Sequence, residues 1–150
     1  MNKYLKLNNI SKTFNTRKKI KVIKNLSYNF NKGKIYSLMG PSGSGKSTLL
    51  NIISLIDKPS AGLIKFNERQ IDYDDKDEND LFRAKKIGIV YQQNNLLPDF
   101  TSLENIYLAS LSINKDKDLA ISKAKQLLKK IGLSSRADHY PSQLSGGDAQ

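Results

Sequence analysis

From Tyr4 to Ile10, apolar residues alternate with polar ones at Leu5 and Leu7, and between Val22 and Phe30 the same spacing recurs at Leu26, Tyr28 and Phe30. A period of two predicts half-buried antiparallel strands. "NKG" at Asn31 to Gly33 is a turn signal, and "KIYSLMG" after it reads as a buried strand running into a glycine-rich loop. Past that loop the period lengthens: Leu49, Leu50, Ile53 and Ile56 stand at helical spacing, predicting a helix from Lys46 to Ile56. "DKPSAG" is a second turn and "LIKFN" a short strand. "DYDDKDENDLFRAKK" is nearly free of apolar residues until Leu81 and reads as a solvated loop entering a short helix. "IGIVYQ" is β-branched and apolar, which predicts another buried strand, followed by a loop in "QNNLLPDF". Thr101 with Glu104 fits a capping box, so a helix is expected from there to about Leu111. A second helix is expected in "KDKDLAISKAKQLLKKIG", with Ala120, Ala124, Leu127, Leu128 and Ile131 on one face and Gly132 as its stop.

Composition narrows the class. A chain of 150 residues is long enough for one domain with a core, or part of one, and its mean hydropathy of -0.52 implies a small core. The net charge of +11 could attract phosphates, nucleic acid or an anionic membrane surface. Much of that charge sits on lysine-rich stretches such as "TRKKIKVIK", which read as solvated faces, and no nucleic-acid reader motif accompanies them. The absence of cysteine excludes disulfides and thiolate metal sites. No run approaches the ~18 apolar residues of a membrane span. A cytosolic protein, peripheral to a membrane at most, is the expectation.

The richest chemistry lies in "GPSGSGKST". Gly40, four residues, then Gly45, Lys46 and Ser47 complete the phosphate-loop pattern, between an expected strand and an expected helix. Glycines at Gly40, Gly43 and Gly45 let the backbone curl so that amide hydrogens point inward, and the helix that follows adds its positive end. Pro41, Ser42 and Ser44 complete the loop. Lys46 brings a cation to the outer phosphates, the Ser47 hydroxyl is placed for magnesium, and Thr48 lies beside it in the first turn. A glycine-rich stretch can be only a flexible turn; here the lysine, hydroxyl and flanking elements all stand where phosphate binding wants them. "LSGGDAQ", from Leu144 to Gln150, offers a further serine and two glycines, and by itself reads as a loop.

Taken together, "GPSGSGKST", "YQQNNLLP" and "LSGGDAQ", in this order and at these separations, resemble the ATP-binding cassette of ABC transporters. The likeness runs over nearly the whole chain. It implies an α/β fold: a P-loop NTPase-type sheet with an antiparallel β subdomain and a helical subdomain, residues 1–150 forming the N-terminal part of the nucleotide-binding domain. It implies ATP and magnesium as ligands, with Ser47 and Gln92 on the metal. Gln92 also reports to the membrane subunit in the family; on residues alone it is a polar strand end, with Gln93 as an adjacent competitor. Ser145, Gly146 and Gly147 would close over the nucleotide held by a second copy of the chain in a head-to-tail homodimer. Phe14 sits where the family places an aromatic that stacks on adenine, phenylalanine standing here for the commoner tyrosine; a buried core phenylalanine is the competing reading.

Within the family, "NNLLPDFTSLENI" and "IGLSSRADHYPSQLSGG" are most similar to ATPase subunits of lipoprotein-releasing systems, with macrolide exporters and cell-division ATPases sharing much of this wording. The implied setting is the cytoplasmic face of the inner membrane, beneath permease subunits that handle the lipoprotein. Asp148 and Ala149 depart from the commoner glutamate and glutamine of the signature. The family's acidic pair after an apolar strand and its switch histidine would follow Gln150; His139 precedes the signature and reads as an exposed loop residue. The 150 residues are therefore expected to be the front of a longer ATPase, to contain no catalytic residue, and to bind ATP without hydrolysing it alone. The alternatives are a soluble ABC-type ATPase acting on nucleic acid or ribosomes, suggested by the charge, and an inactive remnant.

Overall fold

The computed structural model describes residues 3–16, 18–113 and 115–149, and the chain divides into two compact units, Met1–Arg83 and Ala84–Gln150. The first unit is built on an antiparallel sheet. Strands β1 (Lys3–Asn15) and β2 (Lys19–Asn31) are the expected antiparallel strands, paired with each other as a hairpin and longer than the alternation alone suggested. Strand β3 (Ala61–Phe66) pairs with the other edge of β1, and the short β4 (Arg69–Gln70) pairs with β3, giving the order β2-β1-β3-β4. Helix α1 (Lys46–Ile53) belongs to this unit, and the buried apolar residues are Leu5, Leu7, Ile10, Ile23, Leu49, Ile52, Leu55, Ile64, Phe66 and Ile71.

The alternation on β1 changes phase midway. Leu5 and Leu7 are buried, then Ile10, Ser11 and Lys12 consecutively, so the strict alternation breaks and the even positions Ile10 and Lys12 join the buried set. A bulge causes the change: the register shifts between Leu7 and Ile10, and Asn9 takes a φ of 50°, a left-handed conformation that asparagine tolerates better than most residues. Gly62 on β3 lies against this bulge. A Cβ there would stand 2.5 Å from the carbonyl oxygens of both Asn8 and Asn9, and its φ is +93°, so the position excludes a side chain twice over.

Two expected strands are not formed. Residues 34–40 and 87–92 have no strand assignment, and Ile35, Met39 and Val90 are 99%, 87% and 84% exposed. A strand exists only through its ladder to a neighbour, and none of β1 to β4 pairs with the first of these segments. Helix α1 is also shorter than expected and buries Leu49 and Ile52, leaving Leu50 and Ile56 exposed. Past Ile53 the Ser54 hydroxyl donates to the Leu50 carbonyl and Leu55 turns to a φ of 59°, which ends the helix before Ile56 can join its face.

Helix α2 (Lys76–Lys86) fulfils the acidic-then-basic reading. In the second unit, α3 (Ser102–Leu111) carries the expected capping box. The Glu104 N–H donates to the Thr101 hydroxyl at 3.3 Å, and the Thr101 N–H donates to Glu104 Oε2 at 2.8 Å. Those bonds to Thr101 hold the Glu104 carboxyl below its ordinary pKa. Helix α4 (Lys117–Lys130) is capped by Asp116, ends before Gly132 at a φ of +77°, and buries Ala120, Ala124 and Leu128. Leu127 and Ile131, expected on that face, are exposed, so the buried stripe is narrower than the pattern implied. The Ser102 N–H and hydroxyl both donate to the His139 carbonyl, and the Leu103 N–H donates to the Ala137 carbonyl. These bonds fasten the segment that leads into "LSGGDAQ" to the start of α3. His139 is half-exposed, its ring nitrogen 3.2 Å from Arg136 Nη1.

Candidate nucleotide site

In the first unit the glycine-rich loop is surface chain with a defined shape. Gly43 and Gly45 have φ of +78° and +92°, and Gly45 is the residue at which α1 begins. A Cβ on Gly45 would come within 2.7 Å of Val22 Cγ1, so this glycine serves both the left-handed turn and a close approach to β2. Lys46 folds back over the loop, its ammonium donating to the carbonyls of Gly40 and Pro41 at 2.8 Å each. An ammonium has three donors, so two bonds fix it over the loop and one remains for an anion. The first-turn amides of α1 have no partners within the helix, and no acidic side chain occupies that turn. Ser47 is exposed and Thr48 half-buried. Curled loop, tethered cation and helix N-terminus are the elements from which an anion site is built.

Phe14 lies near the end of β1 and is 38% exposed, which removes the core reading. The Lys12 ammonium stands 5.0 Å from the centre of its ring. That ammonium also donates to Asp57 Oδ1 at 2.6 Å and to the Lys58 carbonyl at 2.7 Å, just past the C-terminal end of α1. Sequence reading missed Lys12. It is one of many lysines in the hairpin, and its burial comes with contacts to residues 57 and 58, distant in sequence.

In the second unit Gln92 is exposed and sits in a bend rather than at a strand end. Ser145, Gly146 and Gly147 are contiguous and exposed, while Gln150 lies outside the described residues. The Asp148 N–H donates to Ser145 Oγ and the Ser145 N–H donates to Asp148 Oδ2, each at 3.2 Å. The two bonds close a reciprocal serine–aspartate turn, and the bonds from Ser145 hold the Asp148 carboxyl below its ordinary range. Neither Gly146 nor Gly147 has a positive φ of the kind that demands glycine, and a Cβ on either would meet nothing within 4 Å. Local folding therefore does not require glycine at these two positions. Among the described residues, no group of three or more His, Asp or Glu side chains could hold a metal by itself.

The sequence profile of the ABC transporter family matches residues 23–150. The lipoprotein-releasing system ATP-binding protein LolD of Cytophaga hutchinsonii is 38% identical over the whole chain, which spans 67% of that relative. The LolD of Myxococcus xanthus is 38% identical over 97% of the chain and 66% of its own length. Among solved structures, the ATP-binding cassette MJ0796, in a dimeric post-hydrolysis state bound to ADP and Pi, superposes with a TM-score of 0.86 at 39% identity, covering 97% of this chain and 65% of that one. The chain thus spans about two thirds of the length of these three relatives. An antiparallel sheet beside helices, laid over such a cassette at this identity, leaves one assignment: the chain belongs to the ATP-binding cassettes of the ABC transporter family.

Proposed function

We propose that this chain is the nucleotide-binding part of an ATP-driven transporter subunit of the lipoprotein-releasing type. The observation that carries the reading is the phosphate loop from Gly40 to Ser47, with its lysine bound across its own carbonyls at the mouth of α1. Gly40 to Thr48 hold the triphosphate, Lys46 meets the β and γ phosphates, and Phe14 offers a flat face to adenine. The Ser47 hydroxyl would hold magnesium together with phosphate oxygens, since a hard cation prefers such oxygen donors, and the Gln92 amide oxygen is the candidate donor of the second unit. Ser145, Gly146 and Gly147 act in trans on the nucleotide of a second copy. Support comes from two glycines that the local fold does not need, exposed beside a capped serine. The names of the relatives support lipoprotein release and, with it, permease partners and a peripheral position on the cytoplasmic face of the inner membrane. No described helix is long and apolar enough to cross a membrane.

The test is calorimetry of ATP binding to the parent and to Lys46→Ala. Loss of a charge-assisted contact at the outer phosphates is expected to weaken binding by about 2 kcal/mol, some thirtyfold. Equal affinities would overturn the phosphate-loop assignment.

A further inference from the structure

We infer that Lys12 is a positioning residue for the base of the nucleotide: it holds the Phe14 ring in orientation and links that ring to the chain just beyond the helix that carries the phosphate lysine. The inference rests on the reading of Phe14 as the base platform. Lys12 is 8% exposed, an uncommon place for a lysine. Its ammonium has taken three partners of different kinds: the Asp57 carboxylate at 2.6 Å, the Lys58 carbonyl at 2.7 Å, and the Phe14 ring at 5.0 Å from its centre. A cation at that distance from an aromatic centroid is attracted by the ring's electron-rich face. Phe14 remains 38% exposed, so the ring keeps accessible surface for a second flat group.

The surroundings make this a rigid support. The Ser60 N–H donates to the Ser11 carbonyl at 2.8 Å, the Thr13 N–H donates to Ser60 Oγ at 3.0 Å, and that hydroxyl donates to the Thr13 carbonyl at 3.2 Å. Residues 11 to 13 of β1 are thus fastened to residues 57 to 60, a few residues past the end of α1. A ring held by an anchored cation loses little freedom when a base lands on its accessible surface, and binding gains by that preorganisation. Lys12 touches neither phosphate nor base; it acts through Phe14. A lysine serving only to stabilise the fold would affect every ligand of the unit alike.

The experiment compares ATP with inorganic triphosphate, which carries the phosphates and no base, by calorimetry on the parent, Lys12→Met, Asp57→Asn, Phe14→Ala and the Lys12→Met/Phe14→Ala double variant. The expected result is that Lys12→Met lowers affinity for ATP about fivefold, leaves inorganic triphosphate unchanged, and adds no further loss in the Phe14→Ala background. Asp57→Asn, which removes the charged partner of the ammonium while sparing its own charge and its bond to the Lys58 carbonyl, is expected to move ATP the same way by less, and it carries the test if Lys12→Met does not fold. Equal loss for both ligands would show a merely structural lysine and overturn the inference. So would an unchanged ATP affinity while Phe14→Ala weakens it, in which case the base-platform reading survives. If Phe14→Ala itself leaves ATP binding unmoved, the platform reading falls and this inference with it.

Discussion

Single glycines in this chain answer to different constraints, and substitution separates them. Gly62 faces the carbonyl oxygens of the Asn8–Asn9 bulge at 2.5 Å from any added Cβ, in a backbone conformation that L residues avoid. Gly62→Ala is therefore expected to destabilise the fold by about 2 kcal/mol or more, read as a lower urea midpoint with an unchanged slope. Gly146→Ala meets nothing and strains nothing, so its stability is expected within about 0.5 kcal/mol of the parent. A large loss at Gly146 would show that the "SGG" turn is held by its glycines for reasons of fold. Residue-level legibility follows the same division. The phosphate loop could be read because its constraint is local: Gly40, Gly45, Lys46 and Ser47 stand within one short stretch. Gly62 and Lys12 could not, because their surroundings come from a bulge and a loop distant in sequence.

Elements whose determinants lie inside themselves were legible too. Helix α3 starts where the Thr101 and Glu104 pair said it would, and α4 stops before Gly132. Residues 34–40 and 87–92 were apolar enough for strands, but an apolar run records only a tendency to be buried and says nothing of which segment supplies the ladder. The capping pairs give a prediction at this scale. Removing the hydroxyl in Thr101→Ala is expected to cost about 1 kcal/mol of stability in the helical unit, measured by thermal unfolding. Acid should act on the same contacts. Glu104 and Asp148 both have pKa values lowered in the folded chain, from 4.5 and 3.8 in the absence of their partners. A lowered carboxylate pKa stabilises above the unfolded value and loses that contribution as pH falls through the folded one. Stability is thus expected to be level above pH about 5 and to decline below the two reference values, with a shallower decline in Glu104→Gln. A decline that is as steep in Glu104→Gln would place the acid sensitivity elsewhere.

For the molecule as a whole, the open matter is which chain's nucleotide the two glycine-serine stretches serve. The phosphate loop lies in the unit Met1–Arg83 and the signature in Ala84–Gln150. On the proposed reading each signature meets the loop of a second copy, and two variants, each defective alone, should then complement one another. Lys46→Ala keeps an intact signature and loses the phosphate cation. Gly147→Asp keeps the loop and adds a carboxylate in open space, where the fold has no objection but an approaching phosphate is repelled. Neither variant alone can build an intact loop-and-signature interface. In a mixture, the loop of Gly147→Asp can meet the signature of Lys46→Ala, so one of the two interfaces of a twofold pair is whole. Each copy carries +11, so association without nucleotide is opposed by repulsion, and the triphosphate between the copies relieves it. Sedimentation velocity with ATP is expected to show dimer for the parent, monomer for either variant alone, and partial dimer for the mixture. If both stretches served one nucleotide within a single chain, mixing could restore nothing, and a mixture as monomeric as its components would refute the head-to-tail arrangement.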